Sequence, residues 1–125
     1  MAASYPPHLA PVFEKFITCE YASFTRTGEP IAMPVTPYVG AAGTLDISTG
    51  LTYPTKAERA RRNPAVALLF SDAKGSGLTA APTVLVQGRA AVRDHDLQAN
   101  TDRYMRESAR KLPAATAGTP PFMLR

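Results

Sequence analysis

The chain has 125 residues, enough for one domain with a real core, and its 45% hydrophobic and 19% charged content is that of a globular protein. Twelve prolines exclude an all-helical bundle, one cysteine excludes an internal disulfide framework, and the longest apolar run, 65–70, is too short to cross a bilayer. The net charge of +4 is concentrated: Lys56, Arg59, Arg61 and Arg62 stand within seven residues against the single carboxylate Glu58.

In chain order, residues 1–12 (MAASYPPHLAPV) read as a proline-bearing N-terminal arm without the charge-then-apolar pattern of a signal peptide. Residues 16–25 (FITCEYASFT) are rich in aromatic and β-branched residues and predict a strand. RTGEP at 26–30 predicts a turn, and 31–39 (IAMPVTPYV) a second strand. Pro34 and Pro37 each remove a ladder donor, which puts that strand at a sheet edge or beside a bulge. GAAG at 40–43 turns the chain into a third short strand, 44–49.

A short helix is expected over 55–62. Thr55 and Glu58 have the spacing of a capping box, and Pro64 disfavours helix at Asn63. The uninterrupted apolar run 65–71 predicts a strand buried on both sides, and DAKGSG at 72–77 a loop. The longest strand is expected over 83–94, with a bulge or bend at Gly88. A helix over 96–112 would put Leu97, Tyr104, Met105 and Leu112 on one face, with Arg103, Arg106 and Arg110 facing outward. Residues 113–125 have no period and read as a tail.

The sum is a mainly β, single-domain chain with minor α content. Five strands and one helical crossover favour an antiparallel or mixed barrel over a doubly wound sheet. Five strands do not close a barrel cleanly, and the sequence stops at Arg125 soon after an apolar FML run, so a closing strand is missing or supplied elsewhere.

The basic cluster is where chemistry concentrates. A helix start directs free amide donors and a positive dipole end outward, and Lys56 there makes a seat for a phosphate. The competing reading is an ordinary capped surface helix with a solvated basic face. The arginines cannot all face one ligand, because neighbours on a helix point about 100° apart. One compact patch without a recognition motif argues against nucleic-acid binding. His8, His95 and Cys19 are isolated, so neither a metal site nor a catalytic triad is expected. Cys19, within a strand, reads as a small buried hydrophobe, and Tyr38 and Tyr53 as ring-stacking or core residues. Arg89 reads equally as a ligand contact or as a partner across a dimer.

The string TGLTYPTKAERARRNPAVALLFSD (49–72), followed by VLVQGRAAVRD (84–94), resembles the FMN-binding split β-barrel family typified by pyridoxamine 5′-phosphate oxidase. The likeness spans about residues 16–111. It implies a split β-barrel with a short helix between the third and fourth strands and a longer helix near the C-terminus. It further implies a homodimer with FMN at the subunit interface and a small-molecule substrate, while the single cysteine and the lack of a signal-peptide pattern lead to the expectation of a cytoplasmic protein. Carried over residue by residue, Lys56 and Thr55 meet the flavin phosphate, and Thr49 and Gly50 lie along the ribityl chain. Val35 and Thr36 face the ring, and Thr83 reaches it from the other subunit. Such a protein moves hydride through its cofactor and needs no catalytic side chain of its own. Two departures stand out: Ile31, Met33 and Pro34 occupy the strand where the family carries a phosphate-binding arginine, leaving Arg59 or Arg62 as substitutes, and no segment matches the family's C-terminal grip on pyridoxamine phosphate. Pyridoxamine phosphate oxidation is therefore not expected. The alternatives within the resemblance are a deazaflavin-dependent reductase and a non-enzymatic flavin- or haem-binding module.

Overall fold

The computed structural model describes residues 5–40, 43–48 and 55–111. A 3-10 turn, Pro7–Leu9, runs into helix α1 (Ala10–Lys15). Then come strands β1 (Cys19–Phe24), β2 (Pro30–Val35), β3 (Tyr38–Val39) and β4 (Leu45–Asp46). Helix α2 (Thr55–Arg62), strands β5 (Ala65–Phe70) and β6 (Val84–Arg89), and helix α3 (Leu97–Lys111) complete the order. The architecture is mixed α and β with substantial antiparallel sheet.

Strands β2, β1, β5 and β6 form one antiparallel sheet in that order, and β3 pairs with β4 in a separate hairpin. Among the described residues these two sheets do not close into a barrel. The proline-bearing strand is an edge strand, as its missing donors require, but it breaks after Val35 and the chain restarts in the second sheet at Tyr38. The 83–94 run pairs for only six residues. Its register with β5 is regular through Val66↔Gly88, so Gly88 is not a bulge.

Strand alternation sets which residues form the core. Val35 pairs with Cys19 and Phe70 with Val84, and continuing the β1–β5 register brings Cys19 level with Phe70. All four are buried, in one row across the inner face. A second row, Met33, Tyr21, Leu68 and Val86, lies beside it.

Helix α1 covers this face. From sequence, residues 1–12 read as an arm, because two prolines before a six-residue helix give little periodicity to see. Yet Val12 and Phe13 are 2% and 1% exposed, and Phe16 just beyond the helix is 1%. Phe13 and Phe16 meet the ring of Phe70 edge-on, at centroid distances of 5.0 and 5.8 Å, and Tyr5 stacks edge-on against Phe13 at 4.7 Å. These are the favoured aromatic geometries.

The last residue of α3 ties that helix to α1. Lys111 Nζ donates to the carbonyls of Phe16 (2.7 Å) and Phe13 (3.2 Å), placing a cation on the C-terminal end of α1. Burial pulls the Lys111 ammonium down to about 8, against the opposing pull of Cys19, Glu107 and Glu14. Burial likewise pushes the Cys19 thiol up to about 12, which bears out its reading as a buried small side chain.

Two outcomes follow from this packing. Phe70→Ala should cost about 3–5 kcal/mol in urea denaturation, the range for emptying a buried aromatic site; a loss below about 1 kcal/mol would contradict the packing of Phe13 and Phe16 on its ring. Between the folded and unfolded lysine values, about 8 and 10.5, the unfolded chain holds a proton that the native state has released. Stability from Lys111 therefore rises with pH in that window. Cys19 acts oppositely from 9 to about 12, so the pair yields a gain between pH 8 and 9, a plateau to about 10.5 and a decline above. Urea melts of wild type and Lys111→Met at pH 7, 8, 9 and 10 check this: the difference should move in favour of wild type as pH rises.

Candidate functional site

Helix α2 packs against β1 and turns one face inward. Ala60 is buried, Lys56 one turn earlier shares that side, and Arg59, three residues after Lys56, borders it and is half-buried. Arg61 and Arg62 are exposed, and Arg61 forms an ion pair with Asp94. Asn63 ends the helix with its own side chain: Oδ1 accepts the Ala65 N–H at 3.1 Å across Pro64, which bends the backbone from helix into β5. Thr55 is exposed and stands as the first helical residue, one position further in than a capping box requires.

Lys56 is half-buried, and its Nζ donates to the Ser48 carbonyl at 3.3 Å. Among the described residues no carboxylate pairs with it. Burial alone lowers its pKa from the usual lysine value. A cation taken partly out of water without a counter-charge is costly, and an anion beside it would offset that cost.

Ser48 joins this lysine to a second cluster. Its Oγ is 2.5 Å from the Tyr38 hydroxyl, and Tyr38 is buried, which raises its pKa despite the Ser48 hydrogen bond. Arg103 of α3 covers the Tyr38 ring at 4.9 Å and pairs with Asp46 at 2.6 Å. Asp46 also accepts from Thr44 Oγ1 at 2.8 Å. Gly40 permits this closeness: a Cβ there would lie 2.1 Å from Thr44 Oγ1 and 2.9 Å from an Asp46 carboxylate oxygen.

Here the sequence expectation for α3 needs correction. Arg103 faces the β3–β4 hairpin, whereas Leu97 is 44% exposed, and Ser108 is the buried residue of the helix. The apolar spacing of α3 is too sparse to orient it, and the ion pair with Asp46 takes that role. Asp46 and Ser48 were not singled out from sequence, and Arg103 was read only as an outward-facing residue, since a residue opposite another across 57 positions leaves no local signal.

The residues singled out earlier divide into two groups. Val35 is buried at the end of β2, Thr36 follows it half-buried, and both lead directly into the Tyr38–Ser48–Lys56 cluster. Thr83 is exposed beside Val84, on the opposite edge of the sheet. Three strand spacings separate those edges, about 14 Å, so one chain does not bring Thr83 to Thr36. Thr49, Gly50 and Tyr53 lie outside the described residues. Arg89 is exposed at the end of β6, on the rim of a separate cleft of about 360 Å³. Among the described residues no group of acidic, histidine or cysteine side chains is arranged to hold a metal ion, and no helix is long and apolar enough to cross a membrane.

No family model and no curated protein matches the chain. One solved chain superposes with a TM-score of 0.59 at 18% identity, covering 88% of this chain and 71% of its own length. That likeness concerns the fold alone.

Arg103→Met removes the ion pair to Asp46 and the cation over Tyr38. It should cost roughly 1.5–3 kcal/mol in urea denaturation, as for a partly buried charged hydrogen bond. Arg103→Lys should recover only part of that loss, because an ammonium lacks the planar fork that spans ring and carboxylate. Full recovery by lysine would show that charge alone is at work.

Proposed function

We propose that the protein is a flavin-dependent oxidoreductase of the pyridoxamine 5′-phosphate oxidase-like kind, built as a split β-barrel homodimer. In this reading it binds FMN and moves hydride to or from a small organic substrate. The observation that carries the proposal is Lys56: a half-buried cation at the start of a helix, without a carboxylate among the described residues, and with only a long hydrogen bond to a carbonyl. That environment fits a phosphate group. The antiparallel strands, the short helix before β5 and the longer helix after β6 support the barrel reading.

Lys56 would hold the phosphate, with Thr55 beside it and Arg59 on the same helical face replacing the arginine that β2 lacks. Thr49 and Gly50 would follow the ribityl chain. Val35 and Thr36 would border the ring, with the hairpin residue Tyr38 fixed nearby by Ser48 and Arg103. Thr83 stands on the far sheet edge, so its contact with the same ligand would come from a second copy of the chain. The bound flavin supplies the redox chemistry, and the protein orients it and screens it from water. No side chain is assigned as acid, base or nucleophile.

Lys56→Ala should weaken FMN binding by about 10- to 100-fold, the equivalent of one charged hydrogen bond. Riboflavin binding should change little, because it lacks the phosphate. Titration calorimetry with both ligands reads this directly, and an equal loss for the two removes the phosphate assignment. The visible spectrum of the purified protein separates the ligand classes: two bands for a flavin, one for a deazaflavin, a Soret band for haem.

A further inference from the structure

Ser48 offers its hydroxyl and its carbonyl to different parts of the fold. The hydroxyl meets the Tyr38 hydroxyl at 2.5 Å, and the carbonyl accepts from Lys56 Nζ at 3.3 Å. A residue just beyond β4 thus touches both the hairpin and the cation in the first turn of α2.

The hairpin end of this series of contacts is held firmly. Tyr38 and Asp46 are cross-strand partners in the β3–β4 pair. One guanidinium, that of Arg103 in α3, reaches both of them: it lies 4.9 Å over the Tyr38 ring and pairs with one Asp46 oxygen at 2.6 Å. Thr44 Oγ1 donates to the other Asp46 oxygen at 2.8 Å. With its ring buried and covered by Arg103, Tyr38 presents its hydroxyl from a fixed place.

The lysine end is held loosely. An ammonium has three donors on a flexible four-carbon stem, and the long contact to Ser48 uses one of them. Ordering such a side chain around a ligand costs rotamer entropy. A carbonyl that already holds the ammonium reduces this cost, leaving two donors for an incoming anion. That benefit lasts only while Ser48 itself stays in place, and the Tyr38 hydroxyl is what holds it there.

We propose that Tyr38 is a positioning residue for the anion seat at Lys56: clamped by Arg103 and Asp46, it fixes Ser48, whose carbonyl aims the Lys56 ammonium at a phosphate group. Helix α3 acts on the seat by the same route, through Arg103. The inference rests on the phosphate reading of Lys56 and adds the residues that set the lysine's geometry. If the Tyr38–Ser48 contact only closes the hairpin, its loss lowers stability and leaves the lysine as it was.

Titration calorimetry with FMN and riboflavin on wild type, Tyr38→Phe, Lys56→Ala and the double variant separates the two. Tyr38→Phe removes one hydroxyl and keeps the ring. It should weaken FMN binding about 3- to 10-fold, in keeping with one hydrogen bond, and riboflavin binding by less than about 2-fold. In the Lys56→Ala background it should bring no further loss of FMN affinity, because both changes act on one contact. Where Tyr38→Phe does not fold, Ser48→Ala breaks the same hydrogen bond from its other side and should give the same pattern. Unchanged FMN binding in these variants, equal losses for the two ligands, or an undiminished loss in the Lys56→Ala background overturns the positioning role and leaves the phosphate seat standing. FMN affinity that is absent in wild type or unmoved by Lys56→Ala overturns the seat itself, and the positioning role with it.

Discussion

Three phenylalanines hold the molecule together. Phe13 and Phe16 arrive from the N-terminal segment and Phe70 from the central strand β5, and their edge-on contacts fix α1 across the inner face of the sheet. Everything on that face takes its place from this contact. The row Val35, Cys19, Phe70 and Val84 is closed over, α1 supplies a wall against β3, and its C-terminal carbonyls become the anchor for Lys111. A helix of six residues has no stability of its own in water. Its aromatic side chains, removed from solvent, supply what its length does not.

The cations of the chain show how the same residue type takes different roles according to its partner. Arg61 pairs with Asp94 in solvent, where screening leaves little net energy. Arg103 is paired with Asp46 and stacked on Tyr38, so its charge is compensated and its role is to seat α3 on the hairpin. Lys111 is compensated by the carbonyls of Phe13 and Phe16 at the C-terminal end of α1. Lys56 differs from these three: it is partly desolvated, with one long carbonyl contact and no counter-charge among the described residues. A ligand phosphate would complete that environment, which is why the functional reading centres on this lysine and not on the basic cluster as a whole.

Much of the element order was legible because it depends on local chemistry. Helix α2 spans the residues that its charge pattern and Asn63–Pro64 marked, and β5 begins and ends within one residue of its apolar run. The edge position of β2 was legible from its prolines. Three features were not. Helix α1 is too short and too proline-bounded to show a period, the 83–94 run continues apolar after its pairing stops at Arg89, and the orientation of α3 depends on an ion pair across 57 residues.

Within the candidate site the same division holds. Sequence by itself determined that the cationic charge gathers on one short helix, that a lysine opens that helix, and that strands flank it, since composition, turn residues and alternation are local properties. Only the tertiary structure decided which cation turns inward, that Ser48 and Tyr38 stand beside it, and that Thr83 lies on the opposite sheet edge from Thr36. Those facts depend on which strands become neighbours and on how much water each charge keeps. Neither is written in any short stretch of the chain, because desolvation belongs to the assembled fold.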